Sequence, residues 1–208
     1  MTIKKRPYII VTSIIIVLFC TSVYAVRLLT KKVALQQMLP EAEQVVEEKI
    51  LLSPEQKAQI KNRLGGILVY YQADSEAEKI AVYESDEYIF YFGMTGGKKT
   101  TVAVIETQPG KWGPVEYIIA LDAKTAKVTN LAVMSYMERR GRPIARRNFL
   151  KQFINKGNSD RLKVGKDIRG ITGATISCDA TCFAVKKAST LYEELFLKPK
   201  TNEETQNK

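Results

Sequence analysis

The chain has 208 residues, 45% of them hydrophobic, and a formal net charge of +10. That supports one domain with its own core plus a further segment, and a basic surface suited to nucleic acid, anionic lipid or a phosphorylated cofactor, among which charge does not choose. Histidine is absent, which removes most zinc enzymes, His-based triads and His-ligated haem, and Cys20, Cys178 and Cys182 form no CxxC motif that would suggest a zinc ribbon or a thioredoxin-like site.

In chain order, the first element is an apolar run. Residues 7–26, PYIIVTSIIIVLFCTSVYAV, carry no charge over 20 positions, behind Lys4, Lys5 and Arg6 and ahead of Arg27. At about 1.5 Å of helical rise per residue, the run matches a hydrocarbon core of roughly 30 Å. Two readings stand. One is an uncleaved single-pass anchor, N-terminus inside, with Tyr8 and Tyr24 at the two interfaces. The other is a signal peptide cut after Ala25. Both export residues 27–208 from the cytoplasm.

Residues 33–50 read as a helix, with Leu35, Met38, Leu39, Ala42, Val45 and Val46 at three- and four-residue spacing and a restart at Pro40. Ser53-Pro54-Glu55-Gln56 is a second helix start, with Ser53 as N-cap, and Gly65-Gly66 is its stop. The pattern then changes to strands rich in β-branched and aromatic residues: GILVYYQ from residue 66, KIAVYES from 79, then EYIFYFGM, TTVAVIET, VEYIIALD and VTNLAVMSYM. Turn residues at Gly96-Gly97, Pro109-Gly110 and 122–125 separate several of them. Residues 115–121 and 128–136 read as an antiparallel hairpin. NFLKQFI, 148–154, gives a short helix with Phe149, Leu150 and Phe153 on one face.

A final helix follows residue 175, with Ser177 as a possible N-cap. Its buried face is read as Ile176, Ala180, Phe183, Ala184, Val185, Ala188, Leu191, Tyr192 and Leu195. The expected fold is α+β: a twisted antiparallel sheet packed on a long C-terminal helix, preceded by the membrane segment and a helical linker. The expected divisions are 1–26 anchor or signal peptide, 27–65 helical linker, 66–198 globular domain and 199–208 polar tail.

Ahead of that final helix stands ITGATIS, residues 171–177. The first amides of a helix lack intrahelical acceptors and carry the positive end of its dipole, so an anion is favoured there. Gly173 permits a tight turn and Ala174 adds little bulk, so a phosphate can approach the backbone, and a threonine hydroxyl can carry one covalently. The same residues also suit ordinary helix capping, and on local physics alone capping is the preferred account. No Gly-Lys-Ser/Thr follows, so this is not a Walker loop.

ITGATIS nevertheless resembles the [S/T]-G-A-[T/S] signature of covalent-FMN-binding domains. That family includes the G subunit of Rnf electron-transport complexes, the C subunit of the Na+-translocating NADH:quinone reductase and the N-terminal part of nitrous-oxide regulator proteins. The segment 110–153 is similar to the family's hairpin, its Glu-x-x-Gly loop, here Glu138-Arg139-Arg140-Gly141, and the following "QF" helix. The resemblance covers roughly residues 66–196. It implies FMN esterified through its phosphate to Thr175 by a flavin transferase working outside the cytoplasm. Thr172, Gly173, Ala174, Ile176 and Ser177 would surround the phosphate, with Thr172 and Ser177 hydrogen-bonding it. Residues 138–141 would lie along the isoalloxazine.

The implied protein is a stand-alone flavoprotein tethered to a bacterial cytoplasmic membrane, its domain on the periplasmic side. It relays electrons between donor and acceptor proteins, with no metal and no nucleic-acid partner; it is an electron-transfer protein or subunit more than a stand-alone enzyme. The other reading is an interaction module that keeps the fold without flavin. In many members an acidic residue closely precedes the signature; here Arg169 stands there, and Asp167 lies two residues earlier. The basic cluster of Arg139, Arg140, Arg142, Arg146, Arg147 and Lys151 is read as a solvated face, a flavin contact or a docking site for an acidic redox partner. Cys178 and Cys182 share a helix face, and packing is preferred over a redox role, although a helix start would lower the Cys178 pKa. Trp112, the sole tryptophan, shields a flavin or packs at the core edge, the latter being the safer reading.

Overall fold

The computed structural model describes residues 30–66, 85–137 and 142–198. The chain divides into two units, Met1–Gln37 and Met38–Lys208. In the first, the described residues are helical, and this helix, α1, covers 30–38. Among the described residues no helix is long and apolar enough to cross a membrane. The apolar run 7–26 lies outside them, as do most of the strands expected from 66–72 and 79–85 and the tail 199–208.

The second unit is built on a five-stranded antiparallel sheet in the order β1-β2-β3-β4-β5. The strands are β1 (Gln44–Leu51), β2 (Glu87–Thr95), β3 (Lys98–Pro109), β4 (Pro114–Asp122) and β5 (Val128–Tyr136). Here the helix expected through residue 50 is corrected. Pro40 ends the helical stretch, and Gln44–Leu51 pair in full register with β2, from Gln44 opposite Met94 to Leu51 opposite Glu87. The spacing of Val45 and Val46 fits a helix, but both are β-branched and the backbone of β2 offers a complete ladder, so tertiary pairing decides. The sheet therefore starts well upstream of residue 66.

Other local signals act as their chemistry dictates. Helix α2 (Pro54–Arg63) opens with a reciprocal capping box: Gln56 N–H donates to Ser53 Oγ at 3.2 Å and Ser53 N–H to Gln56 Oε1 at 3.0 Å. The hairpin expected at 115–136 is β4–β5, and Asp122 closes its turn. Its carboxylate accepts from the N–H of Lys124 at 3.1 Å, the N–H of Thr125 at 2.9 Å and the Thr125 hydroxyl at 2.8 Å. Partial burial pushes the Asp122 pKa up, but these donors outweigh it and hold the group below the ordinary carboxylate range.

After β5, a 3-10 turn at Arg142–Ala145, the short helix α3 (Arg147–Leu150) and a 3-10 turn at Lys151–Phe153 follow. Phe149, Leu150 and Phe153 are buried as expected. Helix α4 (Thr175–Tyr192) covers one sheet face and runs on as a π-helical turn, Glu193–Leu197. Its core contacts include Cys178, Ala184, Val185, Ala188 and Leu191, set against Val102, Val104, Val115, Tyr117 and Ile119 of the sheet.

One charged pair lies inside this layer. Lys187 of α4 and Glu106 of β3 are 2% and 3% exposed, with Lys187 Nζ 2.9 Å from Glu106 Oε2. Burial opposes the Lys187 charge, but the Glu106 carboxylate, aided by Tyr88, outweighs it and raises the lysine pKa. Glu106 Oε1 is buried without a hydrogen-bond partner among the described residues.

Candidate functional site at the start of helix α4

Two buried contacts fix how α4 lies on the sheet. Thr181 Oγ1 donates to Ser177 O at 2.8 Å, so the Tyr117 hydroxyl, 3.1 Å away, donates to Thr181. Farther along, Tyr192 OH donates to Ala123 O at 2.9 Å. Helix and β4 therefore run in the same direction. The start of α4 shares one end of the sheet with the 110–113 loop and the last residues of β5. There Trp112 is 55% exposed and Met137 71% exposed. Trp112 is thus a surface residue, which corrects the core-edge expectation. A Cβ on Gly113 would come 3.2 Å from Met137 Sδ, so the loop tip and the end of β5 are in close approach.

The chain reaches α4 through a tightly held loop. Asp167 accepts from the N–H of Leu162 at 2.9 Å and of Lys163 at 2.8 Å, with Lys156 Nζ 4.0 Å away. Burial pushes its pKa up, yet the Lys163 and Leu162 amides and the Lys156 charge keep it below the ordinary range. Ile168 plugs into the core. Next, Gln152 of the "QF" turn grips Arg169 by its backbone: Arg169 N–H donates to Gln152 Oε1 at 2.8 Å, and Gln152 Nε2 donates to Arg169 O at 3.2 Å. The Arg169 side chain is exposed.

The signature forms the next turn. Ala174 N–H donates to Ile171 O at 3.0 Å, and Gly173 sits at φ +77° with nothing within 4 Å of a Cβ built on it. That conformation is strained for any L side chain, which is the local reason for glycine. Ala174 is buried and is the N-cap; among the described residues no side chain caps the helix. Thr175 is the first helical residue, not the last residue before the helix, and it is exposed together with Thr172 and Gly173.

Ser177 is not the cap. It lies in the first turn at 1% exposure, because a residue two positions into this helix already faces the sheet. Of the two hydroxyls expected beside a phosphate, Thr172 is the one on the surface. Ile176 is half-buried at the rim. Glu138, Arg139, Arg140 and Gly141 lie outside the described residues, and β5 delivers the chain to this end of the sheet just before them. Cys178 and Cys182 are buried and unbridged, and burial raises both thiol pKa values. Cys178 is not activated: burial, joined by the Asp179 charge, outweighs the lowering backbone hydrogen bond at Ile171. Among the described residues no cluster of acidic or cysteine side chains could hold a metal ion.

An exposed hydroxyl on the first residue of an uncapped helix, reached over an open glycine, suits a phosphate group. Fold and site together define an α+β domain whose long helix starts beside two exposed threonines and a left-handed glycine. Residues 110–190, from the β3–β4 loop through most of α4, match the family described as FMN-binding domain. No curated protein sequence matches the chain. Among solved structures, the crystal structure of Shewanella oneidensis NqrC aligns over 75% of this chain and 86% of that one, at 13% identity and a TM-score of 0.48.

Proposed function

We propose that the protein is a membrane-anchored, extracytoplasmic flavoprotein that relays electrons through FMN esterified to Thr175. The observation that carries the reading is the exposed Thr175 hydroxyl on the uncapped first turn of α4, inside the segment that matches the FMN-binding family. When bound, the flavin supplies one- and two-electron chemistry. The chain's own groups hold and orient it. Thr175 Oγ1 provides the ester oxygen. The first-turn amides and helix dipole stabilise the phosphodiester anion. Thr172 offers a hydroxyl from the surface side, and Gly173 leaves the approach open. Attachment would be an exchange at phosphorus: the Thr175 oxygen would bond to the FMN phosphorus of FAD as the pyrophosphate P–O bond breaks and AMP leaves, the hydroxyl proton passing to solvent.

The test is co-expression of the full chain with a flavin transferase, followed by intact-mass measurement. An FMN-sized increment that disappears in Thr175→Ala is expected. A mass equal to the bare chain, or an adduct that survives in Thr175→Ala, rejects the covalent assignment. The same spectrum reports whether the segment before Arg27 has been cut.

A second reading, a fold retained without flavin for interaction alone, is favoured by one observation. Asp167, the acidic residue nearest the signature on its N-terminal side, is committed to the amides of Leu162 and Lys163, and Arg169 occupies the closer position. A colourless protein after co-expression, with Arg169→Asp gaining the adduct, would establish that reading.

A further inference from the structure

Between residues 142 and 169 the sequence holds nine lysines and arginines but two carboxylates. Both carboxylates serve the backbone: Asp160 accepts from Gly157 N–H at 2.8 Å, and Asp167 accepts from Leu162 and Lys163. Their nearest cation is Lys156, at 3.9 and 4.0 Å. Arg146, Arg147, Lys151, Lys163, Lys166 and Arg169 are all exposed. Among the described residues no carboxylate pairs with any of these six.

The six lie on two segments, 146–151 and 163–169, that Gln152 ties together. Arg147 and Lys151 are four residues apart along one helical stretch. Lys151 adjoins Gln152, which is hydrogen-bonded to both backbone groups of Arg169. Lys163 and Lys166 sit on the loop that Val164 and Ile168 close by a bridge, next to Arg169. Arg169 is three residues from Thr172, which places their Cα atoms within about 11 Å. The surface therefore borders the start of α4.

Its makeup selects among anionic partners. Single-stranded nucleic acid calls for exposed aromatic rings between the cations. Here Phe149 and Phe153 are buried and packed edge-to-face on each other, with centroids 5.4 Å apart. A lipid interface calls for an apolar face beside the charges; Phe149, Leu150 and Phe153 all point into the core instead. Among the described residues from 146 to 169 Ile154, at 37%, is the sole exposed large apolar side chain, and Trp112 and Met137 add a small apolar margin at the same end of the sheet. What remains is a mainly cationic surface next to the site of electron exchange. We propose that it is the docking face for a redox protein with an acidic surface, which it steers so that the partner's redox centre meets the flavin. This rests on the flavin reading above. In that encounter the reduced partner would give up one electron, becoming oxidised, to the flavin held at Thr175.

The test uses the full, flavin-loaded chain and an acidic plant-type [2Fe–2S] ferredoxin as probe, at about 20 and about 200 mM NaCl, a range over which screening sharpens. Binding is measured by titration and electron transfer by stopped flow. Affinity and bimolecular rate are expected to fall about tenfold or more with salt, and by a similar factor in Arg147→Glu/Lys151→Glu/Arg169→Glu. The three side chains are exposed, and circular dichroism checks the fold; Arg147→Gln/Lys151→Gln/Arg169→Gln serves if the reversal does not fold. Lys98→Glu/Lys124→Glu/Lys127→Glu, at the far end of the sheet, should match the parent. Thr175→Ala should bind ferredoxin as the parent does while accepting no electron. If the unmutated chain takes up no flavin on co-expression yet still shows patch-dependent binding, docking stands and the flavin reading fails. The proposal is overturned if the first triple variant binds as the parent does or if the far-end variant is equally impaired. It is also overturned if vesicles with about 30% phosphatidylglycerol bind in a salt-sensitive way while ferredoxin does not.

Discussion

The two ends of the sheet are finished in opposite ways. At the end holding residues 122–126, polar groups are answered from within: Asp122 takes three donors from its own turn, Ser189 Oγ donates to Ala126 O at 2.5 Å, and Tyr192 OH donates to Ala123 O at 2.9 Å. At the other end α4 begins without a side-chain cap, and Thr172, Gly173 and Thr175 face outward. One end closes the fold. The other leaves first-turn donors and two threonine hydroxyls at the surface, where the proposed phosphate would lie. Local helix-start chemistry is the same physics at any helix, so the contrast within one domain is the informative observation.

The sharpest way to break the comparison is Thr175→Ala. It should abolish the FMN adduct by mass while changing unfolding free energy by less than about 0.5 kcal/mol, since an exposed first-turn residue contributes little to the core. A large loss of stability would show that the open end is structural after all. Next in size is the pair between the two ends. Lys187→Met alone strands a buried carboxylate and should cost about 3–5 kcal/mol in chemical denaturation. Adding Glu106→Leu should restore most of that, because Oε1 already lacks a partner and an apolar pair removes the burial penalty.

At the closed end, Tyr192→Phe or Ser189→Ala should cost about 1–3 kcal/mol by leaving a buried carbonyl unanswered. At the open end, Gly173→Ala should cost about 1–2 kcal/mol through its left-handed backbone, with no clash. The smallest effect is a pH dependence. An unfolded aspartate binds its proton near pH 3.9, whereas folded Asp122 and Asp167 bind theirs only at lower pH. Their contribution is therefore full above about pH 4 and is lost as acid titrates the folded groups. Asp122→Asn should lower stability at neutral pH and flatten the acid limb of the stability curve.

The middle of the fold was legible because its signals are local. Alternation in EYIFYFGM and VEYIIALD marks β2 and β4, Ser53 and Gln56 mark the start of α2, and the apolar spacing after Thr175 marks α4. Strand β1 is hidden in the sequence because the three- and four-residue spacing of Leu35 through Val46 is the same whether the backbone coils or extends; the partners in β2 that settle it lie 36 to 50 residues away in the chain. Lys187 has its partner 81 residues earlier in sequence, and no pattern in α4 announces it. Thr175 itself was found through a four-residue resemblance. Its exposure, and the burial of Ser177, came only from how α4 turns on the sheet. Gln152 was visible as part of "QF", but its grip on Arg169 needed two loops brought together.

Helix α4 meets the sheet through polar contacts at Thr181, Lys187, Ser189 and Tyr192, each with a partner at one fixed place. Apolar side chains tolerate sliding; these contacts do not. A slip of one turn, about 5.4 Å, would break all four together. The contacts thus index the helix like the teeth of a rack. The height of Thr175 above the sheet is set by residues as far as about 25 Å along the helix, and a group tethered there, as proposed, would inherit its address from the core instead of from its own pocket.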